Sequence, residues 1–191
     1  MAEYKIIISG PIGAGKSTAL AAVSDCAPVT TEAHNSRRAD ADKATTTVAL
    51  DYGEVALGDG DVLRLYGTPG QERFDFMRQI LARGALGFVI LLDAQRADPA
   101  ADLRGFLADF TRDDHQLPCV VGVTKTDLVD NTDRLMSRLY AELDALHRAA
   151  PCFSCDVRER GQVLALLDAL LALIEVSPPD DAHAGASGIL A

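Results

Sequence analysis

The 191-residue chain has the length of one ordinary globular domain, and it is 48% hydrophobic and 24% charged. This composition argues against both a disordered chain and a membrane protein. Its formal net charge of −10 disfavours sequence-independent binding to nucleic acid, which requires a basic surface. Its apolar stretches are too short to span a bilayer, and neither a signal peptide nor a lipidation motif is recognisable. We therefore expect a single-domain cytoplasmic protein with no nucleic-acid partner and no direct membrane anchor.

Apolar segments with strand character alternate with helical patterns along the chain. The strands are predicted over residues 4–9, 48–57, 62–66, 85–93, 119–124 and 151–154. The helices are predicted over residues 17–24, 71–83, 100–112, 133–148 and 162–176. The turn sequence Gly58-Asp59-Gly60 favours a hairpin between the second and third strands. The alternation predicts an α/β fold in three layers, with helices on both faces of a mostly parallel six-stranded sheet that has one antiparallel edge strand.

The four cysteines lack the spacing of a disulfide framework. Cys152 and Cys155 form a C-x-x-C pair, but no second pair of cysteines or histidines would complete a zinc site. We interpret these two residues as small apolar side chains at a strand end rather than as a redox or metal site.

A phosphate-binding loop is predicted between the first strand and the first helix. Residues 10–17 read GPIGAGKS, which matches G-x-x-x-x-G-K-[ST] in the context that the motif requires. Such glycines let backbone N–H groups point at phosphate oxygens, while Lys16 can reach the β- and γ-phosphates and Ser17 can ligate Mg²⁺. ATPases, GTPases and nucleoside kinases share this motif, so it leaves the base and the reaction open. The predicted phosphate-site residues are Gly10, Ile12, Gly13, Ala14, Gly15, Lys16, Ser17 and Thr18.

The base is indicated by a second motif, Thr124-Lys125-Thr126-Asp127, which follows an apolar strand. The carboxylate of Asp127 can accept hydrogen bonds from the N1–H and 2-amino groups of guanine, whereas adenine presents an acceptor at that edge. Lys125 can lay its aliphatic stem along the base. The motif therefore favours guanine.

Together these motifs resemble those of Ras-like small GTPases over nearly the whole chain, and most of all the bacterial branches related to gliding-motility and conservon GTPases. The resemblance implies a P-loop NTPase fold, with a G domain over residues 1–176; the tail at 177–191 reads as disordered. The family's base motif usually begins with Asn, so Thr124 keeps a hydroxyl but loses an amide. The family's last base motif, Ser-Ala-Lys, is similar to residues 154–156, where the N–H of Cys155 could reach guanine O6. The predicted base-site residues are Thr124, Lys125, Asp127, Leu128, Ser154, Cys155 and Asp156.

The resemblance extends to the segments that sense the γ-phosphate. Residues 67–73 read GTPGQER and resemble the family's Asp-x-x-Gly-Gln-Glu, so that Gly70 would contact the γ-phosphate and Gln71 would orient the attacking water. Position 67 is Gly instead of the Asp that orders Mg²⁺; Asp51 or a water could substitute. Thr47 best matches the threonine that closes on Mg²⁺. The predicted catalytic residues are Gln71 and Lys16, and the predicted metal ligands are Ser17 and Thr47.

The resemblance implies a GTP/GDP molecular switch that uses Mg²⁺ and has protein regulators, among them activators or scaffolds of the roadblock type. Slow unaided hydrolysis is expected, because Ile12 replaces a common Gly beside the γ-phosphate. Arg37, Arg38 or Arg73 could supply an internal arginine finger. One alternative is a nucleoside or other small-molecule kinase, although residues 85–118 lack the arginine-rich lid that such an enzyme needs. The other is a GTP-binding module with negligible hydrolysis.

Overall fold

The computed structural model describes residues 2–27, 29–30, 50–70, 80–112 and 115–176. The strands are β1 (Glu3–Ser9), β2 (Val29–Thr30), β3 (Asp51–Ala56), β4 (Val62–Gly67), β5 (Gly87–Asp93), β6 (Thr111–Arg112), β7 (His115–Gln116), β8 (Cys119–Thr124) and β9 (Cys152–Ser154). The helices are α1 (Lys16–Val23), α2 (Pro99–Asp109), α3 (Thr132–Ala145) and α4 (Arg160–Val176), and two short 3₁₀ turns cover Gly58–Gly60 and Thr126–Leu128.

The main sheet has the strand order β2-β3-β4-β1-β5-β8-β9. Strands β4, β1, β5, β8 and β9 run parallel, and β3 runs antiparallel to β4. The predicted α/β class and mostly parallel sheet are confirmed. The sheet differs from the prediction in one detail. The two-residue β2 pairs with the outer side of β3, so β3, which is antiparallel to β4, does not lie at the edge of the sheet. Two residues carry too little periodicity for such a strand to be predicted.

The central strands are covered on both faces. Every residue of β5 and β8 is buried, which explains why both read as continuous apolar runs rather than alternating ones. One core, formed by α1 and α4 on the sheet, includes Leu20, Leu65 and Leu170. The other, formed by α2 and α3 on the opposite face, includes Phe88 of β5 and Leu139 and Leu143 of α3. The three-layer prediction is therefore confirmed.

Local side-chain contacts set the helix ends. Asp98 caps α2 by accepting a hydrogen bond from the N–H of Ala101 at 3.2 Å, as acidic and amide N-caps commonly do. The helix ends at Asp109, three residues before the predicted end, because residues 111–112 instead pair with residues 115–116. The helix predicted over 71–83 lies mostly outside the described residues, and only its last part, with Ile80 and Leu81 helical, falls inside them.

The topology places five strand ends along one edge of the sheet. The parallel strands β4, β1, β5, β8 and β9 all point their carboxyl ends to this edge, and β1 lies between β4 and β5. Ligands of open α/β sheets bind at such an edge, where successive connections leave in opposite directions. The segments that follow these five strands are therefore the place to look for a site.

The α4 core provides a test of this packing. Leu170 is fully buried, and a Cβ added to Gly87 of β5 would lie only 2.9 Å from its Cδ1 atom. We expect Leu170→Ala to lower the free energy of unfolding by about 2–5 kcal/mol, because it removes buried methyl groups and leaves a cavity. Val176→Ala, at a side chain that is 81% exposed, should change it by less than about 0.5 kcal/mol. Urea denaturation of both variants measures the difference, and equal losses would contradict the packing.

Candidate nucleotide-binding site

The loop between β1 and α1 curls tightly over the end of β5. Gly10, Gly13 and Gly15 have φ angles of +142°, +82° and +92°, which side chains rarely permit. A Cβ on Gly10 would lie 2.1 Å from the carbonyl oxygen of Leu91, so no other residue fits there. Gly15 is the N-cap of α1 and has no side chain with which to cap it. The N–H groups that begin α1 are therefore well suited to an anion such as phosphate.

Lys16 and Gly70 meet at this loop. The ammonium of the buried Lys16 donates to the carbonyl oxygens of Gly10 and Pro11 at 2.7 and 2.8 Å. A Cβ on Gly70 would lie 2.9 Å from Lys16 Nζ and 2.7 Å from the backbone nitrogen of Ile12. The segment after β4 therefore lies directly against the loop, and the contact of Gly70 with a γ-phosphate stays a prediction.

Ser17, in the first turn of α1, contacts an acidic residue of β3. Its hydroxyl donates a hydrogen bond to the carboxylate of Asp51. A hydroxyl and a carboxylate are oxygen ligands of the kind that Mg²⁺ prefers, and the ion is usually held by one or two carboxylates together with substrate phosphates. The described residues contain no group of three or more His, Cys, Asp or Glu side chains that could hold a metal ion. The donor set thus fits an ion shared with a nucleotide rather than a dedicated protein cage.

Thr124 links the end of β8 to the phosphate loop. Its buried hydroxyl lies 3.2 Å from the carbonyl oxygen of Ala14 and 3.1 Å from that of Leu92, and it donates toward both. Thr124 lacks the side-chain amide of the family's usual Asn. In the structure, the hydroxyl makes a bracing contact to the loop by itself.

Lys125 is held by a partner that the sequence analysis missed. Its Nζ lies 2.5 Å from the carboxylate of Asp93, which ends β5 and is almost entirely buried. Asp93 also accepts a hydrogen bond from the N–H of Gln95. The sequence feature that could have identified Asp93 is an acidic residue at the end of an otherwise apolar strand, at the edge of the sheet where ligands bind.

The turn that carries Asp127 is tied to the end of β9. Asp127 and Leu128 are exposed in the 3₁₀ turn Thr126–Leu128. The hydroxyl of Thr126 lies 2.5 Å from that of Ser154. The structure therefore brings together two of the segments predicted to surround the base.

The residues after Ser154 already have partners within the protein. The N–H of Cys155 donates to the carbonyl oxygen of Val123 at 2.9 Å, so its predicted contact with guanine O6 would have to share that hydrogen and stays a prediction. Asp156 accepts hydrogen bonds from the side chain and backbone of Arg158, and these lower its pKa to about 2. Asp156 is therefore ionised at neutral pH and paired with Arg158.

Several predicted residues remain untested. Thr47, Gln71 and the three candidate arginine fingers lie outside the described residues. Ile12 and Thr18 are described, and both side chains are exposed at or just after the loop. Their roles toward a nucleotide stay predictions.

The C-x-x-C pair does not have the character of a reactive site. Cys119, Cys152 and Cys155 are buried free thiols. Burial raises their pKa values to about 12, about 12 and about 11, respectively. Because thiolates are the nucleophiles and metal ligands, these neutral thiols are poor at both tasks.

Alkylation should distinguish the buried cysteines from Cys26, which is only partly buried. At pH 8 a thiol of pKa about 11 is only about 0.1% thiolate, and the fraction rises only as the pH approaches that pKa. We expect iodoacetamide to label the partly accessible Cys26 at least about tenfold faster than Cys152 or Cys155 in the folded protein. In urea all four should react at similar rates, as peptide mass spectrometry would show. Equally fast labelling of Cys152 in the folded protein would revive the redox interpretation.

Comparison with known proteins agrees with a nucleotide site. The chain is 29% identical over 132 residues to the GTP-binding protein ypt4 of Schizosaccharomyces pombe, a match that covers 65% of this chain and about half (51%) of ypt4. It is 26% identical over 128 residues to an uncharacterized protein of Methanocaldococcus jannaschii, covering 67% of this chain and 73% of that protein. None of the described helices has the length and apolar character needed to cross a membrane. Residues 8–179 match the family described as conserved hypothetical ATP-binding proteins, and the chain, with its phosphate loop, belongs to this P-loop family and binds a nucleotide.

Proposed function

We propose that this chain is a Ras-like GTP-binding protein, related to the bacterial gliding-motility and conservon branches, that hydrolyses GTP and acts as a GTP/GDP switch. The observation that carries the proposal is the placement of Asp127 directly after a segment anchored at two points, by Thr124 to the phosphate loop and by Thr126 to Ser154. A base-reading carboxylate needs such a fixed relation to the phosphates, because its selectivity depends on geometry.

The preference for guanine rests on hydrogen-bond chemistry. Two carboxylate oxygens match the two donors on the Watson–Crick edge of guanine, whereas adenine presents an acceptor at that edge and would leave a carboxylate oxygen unpaired. The similarity to ypt4, named as a GTP-binding protein, supports this preference. The family description names ATP instead, so the base is the first property to measure.

The switch mechanism follows from the segments next to the phosphate loop. A γ-phosphate at the loop would engage Lys16 and the N–H of Gly70, while Ser17 and Thr47 would hold Mg²⁺. The ion, when bound, neutralises charge that develops on the phosphates. Loss of the γ-phosphate would release Thr47 and Gly70, and partner proteins would read the difference.

Hydrolysis is expected to be slow without a partner. Gln71 would orient the attacking water, and Lys16 would stabilise the charge that develops on the transferred phosphoryl group. Ile12 has its backbone nitrogen next to Gly70, and its side chain is 61% exposed, so this branched group stands at the mouth of the loop. A regulator, of the roadblock type that the resemblance implies, would then supply the missing acceleration.

The second candidate is a P-loop phosphotransferase that uses ATP. The family description is the observation that favours it. A third candidate, a GTP-binding module with negligible hydrolysis, is motivated by Ile12 and by the Gly at position 67. Nucleotide selectivity separates the second candidate from the main proposal, and hydrolysis separates the third.

A binding panel of GTP, GDP, ATP and xanthosine triphosphate tests the base. We expect guanine nucleotides to bind at least about a hundredfold more tightly than ATP, because ATP would leave a polar group of the site unpaired. Asp127→Asn should weaken GTP binding and move the preference toward xanthosine triphosphate, since its amide offers a donor to the 2-oxo group. Asp130→Asn, an exposed Asp three residues further on, is the matched control and should leave selectivity unchanged. Equal or tighter ATP binding would overturn the guanine assignment.

Single-turnover hydrolysis of GTP tests the enzymatic proposal. Gln71→Leu should lower the hydrolysis rate at least about tenfold, because positioned groups of this kind contribute at least that much. Its GTP affinity should stay within about threefold of the original protein, since Gln71 is assigned to the water and not to the nucleotide. If the unmodified protein shows no hydrolysis above the buffer rate, the binding-module alternative replaces the switch.

A further inference from the structure

We infer that Arg160 is a positioning residue that ties the C-terminal end of α1 to the segment after β9, and that this tie sets how long a nucleotide stays bound. The inference rests on the proposed nucleotide switch, whose phosphate loop leads into α1. It does not depend on which base is bound, because Arg160 acts at the end of α1 that lies away from the phosphate loop.

Helix α1 is short, and its last turn has no cation of its own. The helix has eight residues, Lys16–Val23, and is therefore about 12 Å long. The last carbonyl groups of a helix have no partners within it and carry a partial negative charge. No basic side chain lies in the last turn of α1, so a cation at this end comes from another segment.

Arg160, the first residue of α4, supplies that cation. Its Nη1 donates to the carbonyl oxygens of Val23 and Ala22 at 2.7 and 3.3 Å. Its Nη2 donates to the carboxylate of Asp25 at 2.8 Å. A basic side chain at a helix C-terminus satisfies the last carbonyls and interacts favourably with the helix dipole. One guanidinium thus holds the last turn of α1 and the chain just beyond it.

The segment that ends at Arg160 also contacts the other end of α1. Val157, three residues before Arg160, is buried, and a Cβ added to Gly15 would lie 2.7 Å from its Cγ2 atom. Val157 therefore packs against the residue that precedes the first turn of α1. Residues 157–160 thus contact the helix both at the phosphate loop and at its last turn.

This segment directly follows the residues predicted to surround the base, 154–156. The N–H of Asp156 donates to the side-chain oxygen of Gln162 at 2.8 Å, and the N–H of Glu159 donates to the carbonyl oxygen of Asp156 at 3.1 Å. The turn is therefore closed by its own hydrogen bonds. A shift of α1 against this turn would change the distance between the phosphate loop and the predicted base segment, and binding sites tolerate shifts of only about 0.5 Å.

Asp25 extends the connection to β3. Its N–H donates to the carbonyl oxygen of Glu54 at 2.7 Å, and its carboxylate accepts from the N–H of Ala56 at 2.9 Å. The Ala56 N–H and then the Arg160 guanidinium lower the pKa of Asp25. The side chains of Arg160 and Asp25 are nevertheless 47% and 43% exposed, and such ion pairs contribute little. We therefore assign the positioning role to the hydrogen bonds with the α1 carbonyls.

The rate of nucleotide release tests this role. The protein is loaded with fluorescent N-methylanthraniloyl-GDP, and dissociation is followed in excess unlabelled GDP with Mg²⁺ present. Arg160→Met keeps most of the aliphatic stem and removes every donor. We expect it to release the nucleotide at least about tenfold faster, the loss typical of hydrogen bonds from a charged group. The association rate should change less than about threefold, because changes to a site act mainly on dissociation.

Arg138→Met is the matched control. Arg138 of α3 also bridges two helices, since its Nη2 lies 3.2 Å from the carboxylate of Asp98 at the start of α2. It is similarly exposed but belongs to the opposite face of the sheet from α1. Its loss should change the release rate less than about twofold. If Arg138→Met and Arg160→Met accelerate release equally, the effect is a general loss of stability, and the inference is overturned.

A purely structural Arg160 would affect unfolding alone. Urea denaturation of the nucleotide-free variants measures that effect separately, and an unchanged release rate in folded Arg160→Met overturns the inference even if its stability falls. If Arg160→Met does not fold, Arg160→Gln keeps an amide donor on a shorter, uncharged side chain. It should still accelerate release at least about threefold, and an unchanged rate in that variant would also overturn the inference.

Asp25→Asn separates the helix contacts from the ion pair. It removes the charge of Asp25 and leaves the bonds from Arg160 to the α1 carbonyls in place, so release should rise less than about threefold. Acceleration as large as that of Arg160→Met would place the effect in the ion pair and contradict the assignment to α1. If the binding panel shows adenine preference, the proposed GTP-binding function fails, and the same measurements with labelled ADP still test Arg160.

Discussion

The close approach of the phosphate loop to β5 is the constraint on which the rest of the site depends. Gly10 lies so near the carbonyl oxygen of Leu91 that no side chain can stand there. The next residue of β5, Leu92, accepts from the hydroxyl of Thr124, which also reaches Ala14 in the loop. The loop and the ends of β5 and β8 therefore form one unit, held by contacts that a side chain at position 10 would separate.

Two groups of contacts lie beside this unit. In one group, Lys125 is held by Asp93 at the end of β5, and the turn with Asp127 is held by Ser154 at the end of β9. In the other group, Ser17 contacts Asp51 on β3. The segments predicted to surround the base and those predicted to hold the metal are therefore positioned by different contacts.

Much of this arrangement could be predicted because it depends on local patterns. The glycine spacing of residues 10–17 reflects the backbone angles that a phosphate loop requires, and the buried runs of β5 and β8 reflect coverage on both faces. The strand-end position of Asp127 followed from the same reasoning. The two-residue β2 and the small pairing of β6 with β7 carried no such pattern.

What escaped prediction depends on contacts between distant segments. Three contacts can be found only when it is known which strand ends are neighbours. They are the ion pair of Lys125, the backbone hydrogen bond from Cys155 to Val123 and the hydrogen bond from the Thr124 hydroxyl to the phosphate loop. The hydrogen bond from Ser17 to Asp51 also joins two distant segments. Composition shows an acidic residue on a strand, but only the register shows what lies opposite it.

The pairing of Asp51 with Gly67 limits which side chains can share this part of the ladder. A Cβ at position 67 would lie 2.9 Å from the Cβ of Asp51 and 2.8 Å from the Cδ1 atom of Leu20. A larger residue at the end of β4 would therefore require Leu20 to move. Because Leu20 lies on α1, the helix that follows the phosphate loop, such a substitution would be transmitted from the sheet to that helix.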